Sequence, residues 1–100
     1  MYAAVTRATG ANPEDMGEIA VMVGETMATW LAEIEGFKGL LMMTDAPTGT
    51  VQVVALWESK EIADRHRAAR TSLRDRVSAT VEVQVEETVG WDVPYTYLPA

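Results

Sequence analysis

The segment from Leu40 to Met43 places four large apolar side chains in succession, and this run constrains the fold more than any other feature. Gly36 precedes it and the turn-forming residues 45–49 follow it, so the pattern predicts a short strand. Successive side chains of a strand point to opposite faces of its sheet. Both faces are therefore predicted to be covered, one by helices and the other by something else, which a second subunit could supply.

Three more strand-like segments and two helix-like segments complete the chain. The predicted strands are Tyr2 to Thr9, Phe37 to Thr44, Val51 to Glu58 and a segment in which valines alternate with polar residues from Val81; the predicted helices run from Pro13 to about Glu35 and from Lys60 to about Ala79. Asn12 and Ser59 are the expected N-caps, because both side chains accept hydrogen bonds from exposed helix N–H groups. The order β-α-β-β-α-β predicts one α+β domain over residues 1–100. Residues 94–100 are expected to form an aromatic tail that packs on something.

Composition excludes several classes of function. The 15 Asp and Glu residues against 8 Lys and Arg give a net charge of -7, which opposes binding to nucleic acids and to anionic membranes. With 0 Cys and 1 His, the chain has neither a thiolate metal site nor a histidine cluster. No apolar run approaches the ~20 residues that a membrane span needs, so no membrane partner is predicted and a cytoplasmic location is expected by default.

Two short motifs resemble those of a known family. One is the helix end Ile34-Glu35-Gly36-Phe37-Lys38-Gly39, and the other is the strand exit Leu56-Trp57-Glu58-Ser59-Lys60-Glu61, which His66 follows on the next helix. Together with the element order they resemble the antibiotic biosynthesis monooxygenase-like family from Tyr2 to about Val85. The resemblance implies a ferredoxin-like protomer with an antiparallel sheet, which pairs with its twin to form a homodimeric α/β barrel.

Members of that superfamily include cofactor-independent oxygenases of polycyclic phenols and haem-degrading enzymes. Trp57 matches the family's strand-end Trp, but Val51, Val53 and Ala55 occupy the strand on which the quinone-forming oxygenases carry an Asn. Asp75 stands near the position of the histidine that the haem-degrading members use. We therefore expect no haem and no other cofactor.

Three residues are candidates for a site. His66, on the expected inward stripe with Ile62, Ala69, Leu73 and Val77, is the candidate catalytic acid or base, because an unperturbed pKa of ~6.5 suits both roles. Trp57 could stack on an aromatic substrate, and Arg70, with Arg74 one turn away, could hold an anionic group. The alternatives are structural: a His bonded to a backbone carbonyl, a core Trp, and arginines paired with carboxylates across the dimer.

Two functions follow from these candidates. The first is a small homodimeric protein resembling cofactor-independent monooxygenases, with an apolar pocket between sheet and helices for an aromatic or phenolic small molecule. The second is a non-catalytic ligand-binding or structural dimer. A pocket of ~300 Å³ or more bordered by Trp57 and His66 would favour the first, and a filled core would favour the second.

Overall fold

The computed structural model describes residues 1–99, and in it a four-stranded antiparallel sheet carries helices on one face. The strands are β1 (Tyr2–Thr9), β2 (Phe37–Asp45), β3 (Thr50–Trp57) and β4 (Gln84–Asp92), and the helices are α1 (Met16–Leu31), α2 (Lys60–Arg65) and α3 (Arg67–Thr80). A 3₁₀ turn over Ala46–Thr48 joins β2 to β3, and the strands lie in the order β2-β3-β1-β4. The predicted α+β class and element order are thus confirmed, with the second helix in two pieces. None of the helices in residues 1–99 has the length and apolar character needed to cross a membrane.

The first helix is shorter at both ends than the predicted span from Pro13 to about Glu35. Asn12 accepts from the N–H of Glu14 at 3.1 Å, as expected of a cap, but the residues it caps form a turn and regular helix begins only at Met16. At the other end the N–H of Ile34 bonds the carbonyl of Leu31, three residues back, so the chain tightens into 3₁₀-type turns after α1. Gly36, with φ of +92°, then turns the chain into β2.

The second predicted helix is divided at His66. Its N-cap is confirmed, because the Ser59 hydroxyl accepts from the N–H of Ile62 at 3.2 Å. In a continuous helix the carbonyl of Ala63 would accept from the N–H of Arg67, but it accepts from the Arg70 guanidinium at 2.6 and 3.2 Å. As a result, the buried residues of the two helices differ from the expected inward stripe. Ala63 and Leu73 are buried, whereas Ala69 is exposed.

The last strand begins at Gln84 rather than at Val81. Val81 and Glu82 end α3 in a Schellman motif, in which the N–H of Val83 bonds the carbonyl of Ser78 at 3.0 Å and the N–H of Glu82 bonds that of Ala79 at 3.4 Å. This motif needs a left-handed residue, and Glu82 has φ of +58° where glycine is usual. The alternating valines therefore predicted a strand across what is partly a helix end.

Side-chain size divides the helix-facing side of the sheet into two ends. Phe37, Trp57 and Tyr2 lie at one end, and a cluster of buried side chains packs around Trp57 there; its members are Leu31, Trp57, Ala63 and Leu73. Toward the other end of β1 the positions on the same face are Ala4, Thr6 and Ala8. Hence the core fills only part of the layer between sheet and helices.

The helices leave the opposite face of the sheet open in the protomer, although Ala3 and Leu56 are buried at one end of it. Leu40 packs against the core and Met42 faces the helices, whereas Leu41 and Met43 are 49% and 47% exposed on the other face. Trp91 on β4 is also exposed there. The alternation predicted from the Leu40–Met43 run is confirmed.

The expected packing of the tail does not occur within this protomer. The side chains of Tyr95, Tyr97 and Leu98 are largely exposed. Ala100, the last residue of the expected tail, lies outside the described residues.

Replacing Glu82 by glycine should stabilise the protein. Glycine adopts this φ without steric cost, which stabilises the folded state. Glycine also raises the conformational entropy of the unfolded chain, but this offsets only part of the gain, so we expect the free energy of unfolding to rise by about 0.5–1 kcal/mol. Glu25→Gly is the matched control, because Glu25 is exposed within α1 and the change there should cost about 1 kcal/mol. Urea unfolding of both variants and wild type measures the two effects. If Glu82→Gly lowered the free energy of unfolding by as much as Glu25→Gly does, the left-handed conformation assigned to Glu82 would be contradicted.

Candidate functional site

A cavity of about 580 Å³ lies between the sheet and the helices α1 and α3. Its floor is the part of β1 and β3 that carries small or β-branched side chains, including Ala4, Ala8 and Val53. Two loops border one end of the cavity, residues 10–12 before α1 and residues 81–83 before β4. The volume is in the range of small-molecule sites.

The cavity exists because the central strands lack bulky side chains at this end. Ala4, Thr6 and Ala8 follow one another on the helix-facing side of β1, and Ala55 lies opposite Ala4 on β3. The space between these residues and the helices above them stays open, since a methyl group fills only a small part of the volume that a leucine side chain would occupy. The sequence thus encodes the cavity as a run of small residues at every second position.

The wall formed by α1 and β2 is apolar. Met16, Met27 and Met42 line it together with Ile19 and Val23. Methionine side chains are flexible and polarisable, so such a wall can adapt to the shape of a ligand and contact an aromatic ring through sulfur.

The wall formed by α3 and β4 is polar. Arg70 and Arg74, one turn apart on α3, line it with the hydroxyl groups of Thr71, Ser78 and Thr88. The carboxylates of the lining are Asp15 and Glu82, both exposed at the loop-bordered end of the cavity. A ligand would therefore meet an apolar surface on one side and hydrogen-bond donors on the other.

Arg70 is held in place from two directions. Its Nε and Nη2 donate to the carbonyl of Ala63, and its guanidinium carbon lies 5.3 Å from the centre of the Trp57 ring. Burial, and to a smaller extent the charge of Arg67, lowers the pKa of Arg70 from its ordinary value. No carboxylate of residues 1–99 forms a salt bridge with it. One residue of the cavity wall is therefore a fixed, half-buried arginine that forms no salt bridge among residues 1–99.

Trp57 belongs to the core rather than to the cavity lining. Its side chain is fully buried and meets Phe37 edge-on, with 5.5 Å between ring centres. The indole N–H has no hydrogen-bond acceptor among residues 1–99. The structure thus brings Trp57 to Arg70, not to the surface of the cavity.

His66 is separated from the other two candidates. At the break between α2 and α3 it lines a second, smaller cleft with Ile34, Ser59, Ile62 and acidic residues including Glu33. The pocket expected to be bordered by both Trp57 and His66 is therefore absent from the described chain, although a cavity larger than ~300 Å³ is present elsewhere. The break at His66 turns α3, and with it Arg70, toward the sheet.

Sequence reasoning missed the lining residues Thr6 and Thr88. Neither belongs to a motif, and a lone Thr in a strand is usually a structural residue. The signal that could have found the site is the spacing Ala4, Thr6, Ala8 and Gly10, since small residues at alternate positions of a central strand leave space above it. Asp75, noted for its position, is exposed and accepts from Nε and Nη2 of Arg74 at 3.1 and 3.0 Å.

No protein-family model and no curated protein sequence matches this chain. Solved structures do match it. A monooxygenase from the ActVA-Orf6 gene of Streptomyces coelicolor, in complex with nanaomycin D, superposes with a TM-score of 0.73 at 18% identity, covering 99% of this chain and 92% of that chain. SnoaB, a cofactor-independent oxygenase from Streptomyces nogalater, gives 0.63 at 15% identity, covering 95% and 94%.

A third structure, an antibiotic biosynthesis monooxygenase, matches with a TM-score of 0.61 at 14% identity, over 93% of this chain and 98% of that chain. These matches span nearly the whole of each chain, so they concern the complete sheet with its helices rather than a shared fragment. The chain therefore has the fold of the antibiotic biosynthesis monooxygenase structures, as its strand-end and helix-end motifs predict.

Proposed function

We propose that this protein is a homodimeric, cofactor-independent monooxygenase-like enzyme that takes an aromatic or phenolic small molecule into the cavity between sheet and helices. The observation that carries the proposal is the pairing of a methionine-lined wall with the fixed guanidinium of Arg70. SnoaB is a cofactor-independent oxygenase, and the ActVA-Orf6 monooxygenase binds nanaomycin D. Both have this fold, which supports the proposal by analogy.

Arg70 is the residue proposed to bind the substrate. A phenol that enters the cavity and loses its proton supplies the counter-ion that the guanidinium lacks, and the charge-assisted hydrogen bond favours the phenolate over the phenol. An electron-rich phenolate is the form that reacts with O₂. The apolar wall excludes water from the ring and holds it in one orientation, which is the contribution expected of a protein that uses no metal.

Trp57 is proposed to act through Arg70. Its ring supports the guanidinium from the core side, so the cation stays at the cavity wall instead of turning to solvent. The substrate-binding role expected for Trp57 is thus indirect in this proposal.

One observation favours the alternative of a ligand-binding protein without turnover. The single imidazole of the chain, His66, lines the other cleft, and the carboxylates at the cavity are the exposed Asp15 and Glu82. The cavity therefore lacks a buried group that titrates near neutral pH. In a binding protein, Arg70 would select an anionic ligand in the same way.

The two functions predict different outcomes with 1-naphthol as the probe. Turnover would follow C₁₀H₈O + O₂ → C₁₀H₆O₂ + H₂O, in which one oxygen atom enters the ring to give 1,4-naphthoquinone and the other leaves as water. We expect saturable binding above the pKa of the naphthol hydroxyl, and we expect oxygen uptake equal to quinone formed. Binding without oxygen uptake would favour the binding protein, and the absence of binding would contradict both functions.

Replacing Arg70 by methionine should weaken binding of 1-naphtholate by about tenfold, because a hydrogen bond to a charged partner is lost while the apolar volume is kept. Arg67→Met is the matched control, since Arg67 lies nearby on α3 and is exposed. Fluorescence titration gives the dissociation constants, and thermal unfolding checks that each variant is folded. Equal affinities in the two variants would contradict the role of Arg70.

The homodimer is the second part of the proposal. The open sheet face carries Leu41, Met43, Val89 and Trp91 beside the Arg7–Glu87 ion pair, so packing it against a second copy removes exposed apolar surface from water. For an obligate dimer, we expect this face to contribute to an interface of more than ~2,000 Å² in total.

Leu41→Glu should convert the dimer into monomers, because it places an unpaired charge in the apolar row that Leu41 forms across the sheet with Val54, Val5 and Val89. Val21→Glu is the control, since Val21 is also an exposed apolar residue but lies on α1, on the other side of the sheet. Light scattering at micromolar concentration should give twice 10.9 kDa for wild type and for the control. A monomeric wild type would overturn this part of the proposal.

A further inference from the structure

Three polar side chains form a connected row along the cavity. The hydroxyl oxygens of Thr6 and Thr88 lie 3.0 Å apart, directly across the β1–β4 pair. Nη1 of Arg74 donates to the Thr88 oxygen at 3.0 Å. All three residues line the cavity, and the row runs from its polar wall onto the otherwise apolar floor.

Counting the hydrogens of this row leaves one donor unused. A guanidinium can only donate, so the Thr88 oxygen is an acceptor in its bond with Arg74. The two hydroxyl groups carry two hydrogens and share one bond, whichever of them donates in it. One hydroxyl hydrogen therefore has no acceptor among the described residues, and it belongs to a side chain on the cavity surface.

The charge of Arg74 polarises this hydrogen-bonded row in one direction. Arg74 places positive charge at one end, and Asp75 fixes the guanidinium through two further bonds. A hydroxyl that accepts from a cation becomes a better donor, because hydrogen bonds in a chain polarise one another. The spare hydrogen is thus prepared for an acceptor oxygen.

We propose that the Thr6–Thr88 pair, backed by Arg74, is a second oxygen-binding point of the cavity, so that the preferred ligands are aromatic compounds with oxygen on two opposite edges. The inference rests on the proposed function, in which Arg70 binds the first oxygen. Arg70 and Arg74 are one turn apart on α3, so both binding points belong to the same wall of the cavity, along which a fused ring system can extend. The methionine wall then contacts the ring between the two oxygens.

The test compares 1,5-dihydroxynaphthalene, with oxygen on opposite edges, with 1-naphthol, which has one. Wild type should bind the diol about three- to tenfold more tightly, as expected for one added hydrogen bond. The double variant Thr6→Val/Thr88→Val should abolish this preference, because either hydroxyl alone could still donate to the second oxygen of the diol. Thr6→Ser, which keeps the hydroxyl, should retain it.

Arg74 is a positioning residue in this inference, so its variant should act on the same ratio. Arg74→Gln should reduce the preference for the diol, whereas Arg76→Gln, an exposed arginine of the same helix, should not. A merely structural role of Arg74 would weaken the binding of both ligands equally and leave the ratio of their affinities unchanged. Thermal unfolding checks that each variant is folded.

Each outcome decides between the two proposals. A preference for the diol that survives in the double valine variant, or a wild type that binds 1-naphthol without any preference for the diol, overturns the inference and leaves the Arg70 site standing. A wild type that binds neither compound overturns the proposed function and this inference together. Loss of the preference in the double valine variant, with both compounds bound by wild type, supports both.

Discussion

The difference in side-chain size along the two central strands determines most of the architecture. At one end, Trp57 fills the layer between sheet and helices, and the buried cluster forms around it. At the other end, Ala4, Thr6 and Ala8 leave that layer open. Because an apolar interior is close-packed wherever side chains can reach, the core stops where these residues begin. One alternating series in the sequence thus separates a structural half of the molecule from a half that can hold a ligand.

Arg70 joins these two halves. Its guanidinium lies over the Trp57 ring on the core side, and the residue is also part of the cavity lining. The bonds to the Ala63 carbonyl connect the same side chain to the point where α2 gives way to α3. Arg70 therefore contacts the core, the junction of α2 with α3, and the cavity wall. A substitution there changes both packing and charge, which is why the affinity of a variant has to be compared with its stability.

The sequence was informative where a residue has one dominant local role. Ser59 has few alternatives to capping, and the four apolar residues from Leu40 can alternate only as they do. It was less informative where a tertiary contact decides. At the break at His66 the carbonyl of Ala63 accepts from the Arg70 side chain, which comes from a later turn, and no periodicity records that contact. The start of β4 was misplaced because Glu82 occupies a left-handed position that glycine normally marks.

The site follows the same rule. Arg70 was a candidate because, with Arg74 one turn away, it could hold an anionic group, whereas Thr6 and Thr88 acquire meaning only from the pairing of β1 with β4. His66 was chosen for its chemistry, and its position depended on a helix continuing straight through residue 66. Because the helix breaks there, His66 lies at the second cleft instead of at the cavity. Suitable chemistry therefore did not make His66 a residue of the larger site.

The cavity and the open sheet face both reflect the small amount of apolar surface that the protomer buries. A chain of 100 residues has little apolar surface to bury, and this one leaves about 580 Å³ of its central layer open. An open layer forfeits the contacts that the missing side chains would make, so the protomer loses stability where it gains a binding site. Leu41 and Met43, on the edge strand β2, are exposed on the other face of the same sheet. In the proposed dimer, burial of that face offsets the loss and stiffens the floor of the cavity from behind, which lets small residues form the floor without the sheet losing its shape.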